Sequence, residues 1–173
     1  MLECFYPDIY LDSAYNVDYK DMYEKGYRGI IFDIDNTLVK DNAPADERSC
    51  ELVKRLENMG FKCMVVSNNK EPRVKSFCDT VKMDYVFKAH KPGTDGFFTA
   101  MKKMGTDLTN TFFIGDQLLT DIWGANRTGL LTILVKPMDP HEEFQIVIKR
   151  QIEKIIFVFY RIHVRKQNGK AES

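Results

Sequence analysis

Two carboxylates, Asp33 and Asp35, stand two residues apart in the segment Ile31-Phe32-Asp33-Ile34-Asp35-Asn36-Thr37-Leu38. They follow the apolar run Gly29-Ile30-Ile31-Phe32, which reads as a buried strand. An acid at the carboxyl end of such a strand points into the crevice where open α/β sheets hold ligands. Two acids this close repel one another unless a cation or bound group compensates. A divalent metal is the usual compensation, and oxygen-only ligands favour Mg²⁺. Taken alone, the pair also reads as a solvated turn after a strand, where Asp and Asn are common.

Three more apolar stretches end in polar residues of catalytic type. Phe61-Lys62-Cys63-Met64-Val65-Val66 runs into Ser67-Asn68-Asn69, Ala89-His90 leads to Lys91-Pro92-Gly93-Thr94, and Thr111-Phe112-Phe113-Ile114 ends in Gly115-Asp116 and continues to Asp121. An acid pair, a hydroxyl, a lysine and a second acid pair therefore follow in order. This succession resembles the four motifs of the haloacid dehalogenase superfamily of phosphotransferases, over roughly residues 28–136.

The resemblance implies phosphate ester cleavage. That chemistry needs an in-line nucleophile, neutralised phosphoryl oxygens and a proton for the leaving group. By the resemblance, Asp33 attacks phosphorus and becomes an aspartyl-phosphate. Asp35 protonates the leaving alkoxide and then activates water. Asp116 completes a Mg²⁺ shell with Asp33 and the backbone carbonyl of Asp35, and Asp121 supports that site directly or through water. Ser67 donates to the phosphoryl group, Asn68 joins it in binding phosphate, and Lys91 sets a point charge there. Asn36 and Thr37 shape the loop after the nucleophile, with Thr37 near the phosphate or holding Asp33.

Plainer readings compete. Ser67-Asn68-Asn69 is also a good helix start, and Asp121 also suits the first turn of a helix. His90 is not needed by the scheme and reads as locally structural. His141 and His163 have no metal-binding partners in the pattern. A signalling receiver also combines an aspartyl-phosphate, a hydroxyl, a lysine and Mg²⁺, but its acid pair comes early and its phosphorylated Asp on a later strand. A non-catalytic scaffold is disfavoured because every motif residue is present.

These residues need a frame. Helix patterns cover about 46–59, 71–82, 94–104 and 119–128, and Gly60, Gly105 and Gly129 follow three of them as stops. Strand patterns cover about 29–33, 61–66, 84–87, 111–115 and 131–135. The alternation predicts an α/β fold of three layers, Rossmann-like, with a mostly parallel central sheet. The gaps from Asp35 to Ser67 and from Ser67 to Lys91 are too short for a separate cap domain. By family analogy, a capless site suits a phosphate carried on something large, such as a protein, a nucleic acid or a lipid.

With 173 residues the chain is sized for one core. We divide it into a phosphatase-like domain over 1–140, including an N-terminal extension, and a basic amphipathic segment over 141–173. Lys plus Arg balance Asp plus Glu at 25 each, so no nucleic acid partner is expected. Cys4, Cys50, Cys63 and Cys78 lack metal or disulfide spacing and read as free thiols of a reducing compartment. No secretory signal or transmembrane-length apolar run is seen, so a cytoplasmic location is expected, with possible peripheral membrane contact.

That contact is suggested by residues 149–170, where Lys149, Arg150, Lys154, Arg161, Arg165, Lys166 and Lys170 face a single acid, Glu153. Phe144, Ile148, Ile152, Ile155, Phe159 and Ile162 recur every three or four residues, which makes one apolar face. A basic, aromatic-rich amphipathic helix fits an anionic membrane interface. It equally fits a last helix packed on the sheet, and 155–160 also reads as a strand. Leu2, Phe5, Tyr6, Ile9, Tyr10 and Leu11 around Pro7 suit a covered sheet edge, a membrane or a partner.

Over nearly the whole chain the residues resemble capless subfamily IIIA and its bacterial YqeG-type proteins. The matching segments include Phe5-Tyr6-Pro7-Asp8, Asp33 to Val39, Val66 to Asn69, Lys91-Pro92, Ile114 to Asp121 and Gly124 to Gly129. That group is similar to mitochondrial phosphatidylglycerophosphate phosphatases. The resemblance therefore implies a Mg²⁺-dependent phosphatase acting on a phosphorylated lipid. Ala89-His90 departs from the pattern, standing where a basic residue is expected before Lys91-Pro92.

Overall fold

The computed structural model describes residues 2–139 together with residues 153, 155, 156 and 158–162. Its centre is a six-stranded sheet of β1 (Ile9–Leu11), β2 (Gly29–Phe32), β3 (Lys62–Val66), β4 (Asp84–Val86), β5 (Thr111–Gly115) and β6 (Leu131–Val135). The order is β1-β6-β5-β2-β3-β4, and every pairing between these strands is parallel. Central β2 and β5 are buried along their whole length, as strands covered on both faces must be.

Alternation along the strands divides the core in two. Ile30, Phe32, Val65, Phe112 and Ile114 point to one face, where α1 (Tyr19–Glu24), α2 (Glu47–Asn58) and α3 (Glu71–Val81) cover them. Ile31, Met64, Val66 and Phe113 point to the other, against α4 (Asp95–Met104) and α5 (Trp123–Thr128). This is the expected three-layer α/β arrangement. Among the described residues, the stretch between β2 and α2 holds turns and the isolated bridge Asp35–Val39, with no separately folded cap.

Local chemistry sets the element ends. Asp46 and Ser49 form a reciprocal capping box at the start of α2. Gly105 and Gly129 end α4 and α5 in the left-handed region, at φ 65° and 91°. The helix expected at 119–128 begins as a π turn, Leu118–Ile122, where both Asp121 N and Ile122 N donate to Gln117 O.

Two elements were not foreseen, β1 and α1. Strand β1 lies on the sheet edge beside β6, and Phe5, Tyr6 and Tyr10 pack with Leu118, Ile122 and Leu134, while Leu2 of the N-terminal cluster stays exposed. Asp8 pins the strand there: its Oδ2 accepts from Thr132 N at 2.8 Å and from Thr132 Oγ1 at 2.9 Å.

In the C-terminal segment, residues 155, 156 and 158–162 are helical, which overturns the strand reading of 155–160. Ile156 packs on Leu118, Ile122 and Leu134, and the Tyr160 ring meets Tyr6 at 5.4 Å. Glu153 is buried and its Oε1 accepts from Leu119 N at 3.3 Å. The packed face is thus Ile156 and Tyr160, while Ile155, Phe159 and Ile162 of the anticipated stripe face outward. Phe144, Ile148, Ile152, His141, His163 and all the basic residues of the segment except Arg161 lie outside the described residues. Among the described residues no helix is long and apolar enough to cross a membrane.

Candidate active site

From β2 the chain winds outward through β3 and β4, then returns to β5 on the opposite side of β2. The reversal opens a crevice beyond the carboxyl ends of β2 and β5, where ligands bind in open α/β sheets. Asp33 leaves β2, Ser67 leaves β3, Asp116 leaves β5, and Lys91 lies on the loop after β4. The crevice is a cleft of 240 Å³ whose lining includes Asp33, Asp35, Ser67, Asn68, Lys91 and Asp121.

Lys91 is the buried hinge of this arrangement. Its Nζ lies 2.7 Å from Asp33 Oδ1 and 2.7 Å from Asp121 Oδ1, with its side chain 2% exposed. Burial pulls the Lys91 ammonium down, but the carboxylates of Asp121 and Asp33 outweigh it and hold the group charged. Burial pushes the Asp33 carboxyl up to about 7, against the opposing charge of Lys91. Asp121 does two tasks, because its Oδ2 also accepts from Asp116 N at 3.2 Å and Gln117 N at 3.1 Å. Gly115 makes room for it: a Cβ there would stand 2.6 Å from that same oxygen.

Asp33, Asp116 and Asp121 are all buried, and one oxygen from each lies within 4.8 Å of the others. Lys91 sets one positive charge against these three carboxylates. An all-oxygen set with excess negative charge fits a hard divalent cation. Asp35 is less buried and its side chain is engaged elsewhere.

That engagement is the feature sequence reading missed. Arg73, at the start of α3, places NH2 2.7 Å from Asp35 Oδ1. Asn42 N donates to the same oxygen at 2.8 Å, and Asn69 Nδ2 donates to Oδ2 at 2.7 Å. Both side chains of the ion pair are largely shielded, at 18% and 12% exposure, so it is screened less than a surface pair. The Arg73 guanidinium also lies 5.9 Å from the Phe77 ring centre. Arg73 is a positioning residue for Asp35, so Arg73→Ala is expected to lower kcat about 10- to 100-fold with little change in KM. Arg73→Lys should recover part of the loss, and steady-state kinetics of both variants decide it. A pure KM effect would mean that Arg73 serves binding instead.

The remaining candidates separate. Ser67 is buried in the cleft wall, and its Oγ accepts from Asn69 N at 3.2 Å. Asn68 also lines the cleft, and its side chain has a second task. Its Oδ1 accepts from Lys91 N at 2.7 Å and its Nδ2 donates to Lys91 O at 3.0 Å, so the amide clamps the Lys91 backbone and keeps one N–H to spare. The clamp holds the turn at His90, φ 54°, where His90 O accepts from Gly93 N. Thr37 is buried, is absent from the cleft lining, and its Oγ1 has no hydrogen-bond partner among the described residues. Asn36, at φ 62°, ties the loop to the segment that follows β6: its Oδ1 accepts from Asp139 N at 2.9 Å. Arg127 donates to Pro92 O at 3.2 Å, so it braces the lysine loop.

A parallel α/β fold without a cap, bearing Asp-x-Asp, Ser, Lys and a late acid pair at its switch point, defines a class of phosphoryl-transfer site. Comparison with known proteins agrees. A haloacid dehalogenase-like hydrolase family model matches residues 30–106, and a HAD-hydrolase-like model matches residues 88–137. The chain is 37% identical over 153 residues to the probable phosphatase YqeG of Bacillus subtilis, covering 88% of this chain and 89% of that one. It is 28% identical to the chloroplastic phosphatidylglycerophosphate phosphatase 1 of Chlamydomonas reinhardtii, over 86% of this chain and 59% of that protein. In fold it is similar to the 3-deoxy-D-manno-octulosonate 8-phosphate phosphatase of Moraxella catarrhalis, solved with magnesium and phosphate ions. That likeness has a TM-score of 0.52 at 14% identity, over 69% of this chain and 75% of the other. The chain belongs to the haloacid dehalogenase superfamily of phosphatases, beside the YqeG-type proteins.

Proposed function

We propose that the protein is a Mg²⁺-dependent phosphomonoesterase that forms an aspartyl-phosphate on Asp33 and acts on a lipid phosphate, phosphatidylglycerophosphate in the first instance. The observation that carries the chemistry is the buried Lys91 Nζ at 2.7 Å from Asp33, between that acid and Asp121.

In this reading an oxygen of Asp33 attacks phosphorus in line with the ester oxygen. Lys91 balances the charge of the non-bridging oxygens, and the Ser67 hydroxyl donates to one of them. Asp35 gives its proton to the leaving alkoxide and then takes one from the water that cleaves the acyl phosphate. Arg73, Asn69 and the Asn42 amide fix Asp35 in orientation for both transfers. Asp33, Asp116 and the backbone carbonyl of Asp35 would hold the cation, with Asp121 acting through Lys91 and the turn at Asp116. When bound, the cation neutralises phosphoryl charge.

The lipid assignment is supported by the capless cleft and by the name of the algal relative. Phosphate release from phosphatidylglycerophosphate in mixed micelles, measured beside glycerol 3-phosphate and an aryl phosphate, tests it. Mg²⁺-dependent preference for the lipid is expected. Turnover of the aryl phosphate alone would keep the chemistry and discard the lipid, and activity unaffected by chelator would remove the cation.

A further inference from the structure

Helices packed on a sheet hide their apolar residues, yet the C-terminal helix exposes four. Ile155, Val158, Phe159 and Ile162 are 61%, 57%, 48% and 45% exposed. Their spacing of i, i+3, i+4 and i+7 places them in one stripe. The same helix already buries its other face through Ile156 and Tyr160. The outward stripe is therefore surplus to packing, and contiguous exposed apolar surface of this kind marks an interaction site.

The charge around it selects the occupant. Between residues 149 and 170 the sequence carries seven Lys and Arg and a single acid, Glu153. Glu153 is 6% exposed and bonded to Leu119 N, so it is withdrawn from the outer surface. An apolar stripe in a segment whose only acid is turned inward matches an anionic bilayer surface, with apolar side chains in the acyl boundary and basic ones among the headgroups. A second copy of the chain fits poorly. Its identical positive segment would be brought against this one, and four side chains fall short of the roughly 800 Å² per partner of a standard stable interface.

The stripe is also tied to the site. Glu153 and Ile156 fasten the helix to the turn Leu118–Ile122, and Thr120 and Asp121 of that turn, with Gln117 just before it, line the catalytic cleft. We propose that this face docks the protein on an anionic membrane and that the turn couples the docked helix to the cleft wall. The consequence for turnover rests on the lipid-phosphate reading above; the docking itself can be measured without it.

The experiment is flotation of the full chain with vesicles of phosphatidylcholine, alone or mixed with phosphatidylserine, which is neither proposed substrate nor product. Wild type is expected to float with the mixed vesicles only. The doubly substituted V158S/F159S protein should bind about tenfold more weakly or worse, with unchanged aryl phosphate turnover and unchanged melting. Both positions are exposed, so a folding defect is not expected. Equal flotation of the two proteins, or none by wild type, overturns the proposal. So does light scattering that shows a wild-type dimer converted to monomer by the substitutions. Flotation lost in the variant, with no hydrolysis of lipid phosphate by wild type, would uphold the docking and discard the lipid substrate.

Discussion

Asp33→Asn is expected to lower kcat/KM on an aryl phosphate by about 10⁴-fold, with the fold intact. Asn has the same shape and still accepts from Lys91, but its amide oxygen is too poor a nucleophile to form the acyl phosphate. The substitution also carries a signature independent of activity. In the metal-free protein Asp33 binds its proton more tightly when folded, because burial raises its pKa to about 7 from an ordinary value of 3.8. Between those values the native state holds more protons than the unfolded state, so the Asp33 contribution to stability falls as pH rises and levels off above about 7. Denaturant melts in chelator across that range should show this fall in wild type and its loss in Asp33→Asn. A variant with native turnover would end the nucleophile assignment, and identical pH profiles would end the electrostatic one.

Lys91→Met is expected to be the most destabilising single change at the site. It deletes one cation from two buried ion pairs and leaves Asp33 and Asp121 facing each other without compensation. Breaking a buried pair in this way costs about 3–5 kcal/mol, which lowers Tm by on the order of 10 °C in a domain of this size. Two conditions should restore part of the loss. Acid allows the stranded carboxylates to protonate, and a divalent cation replaces the missing charge. Thermal melts with Mg²⁺ or chelator are therefore expected to show a larger cation shift in Lys91→Met than in wild type. A smaller shift would mean that Lys91 helps to build the cation site. Turnover should drop about 10²- to 10³-fold in either case.

The main lines of this site were legible in the chain because its residues follow strands. Asp33, Ser67 and Asp116 each end a run of apolar residues, and a parallel sheet brings all such ends to one edge. Arg73 was not legible, since it sits in a helix and reaches an acid 38 residues away. Nothing in Glu71-Pro72-Arg73-Val74 distinguishes it from any solvated helical arginine. The clamp of Asn68 on Lys91 was not legible either, because its partners are backbone groups that only the folded loop supplies. Strand β1 is three residues long, too short for alternation to register. In the C-terminal segment the periodicity was visible, but its direction was not. Ile155 and Ile156 are adjacent and chemically identical, and only the neighbours Leu118, Ile122 and Leu134 decide which one is buried.

The pairing of β1 with β6 also bears on how the sheet is closed. Among the described residues β1 pairs with β6 alone, more than a hundred residues downstream, with Asp8 bonded to Thr132 across a separation of 124. Closing so long a loop is entropically slow. Until it closes, β6 presents an open backbone edge that can recruit a foreign strand. Docking β1 exchanges that five-residue edge for one of three residues pinned by Asp8, so the N-terminal segment works as a blunting device for the flank of the sheet.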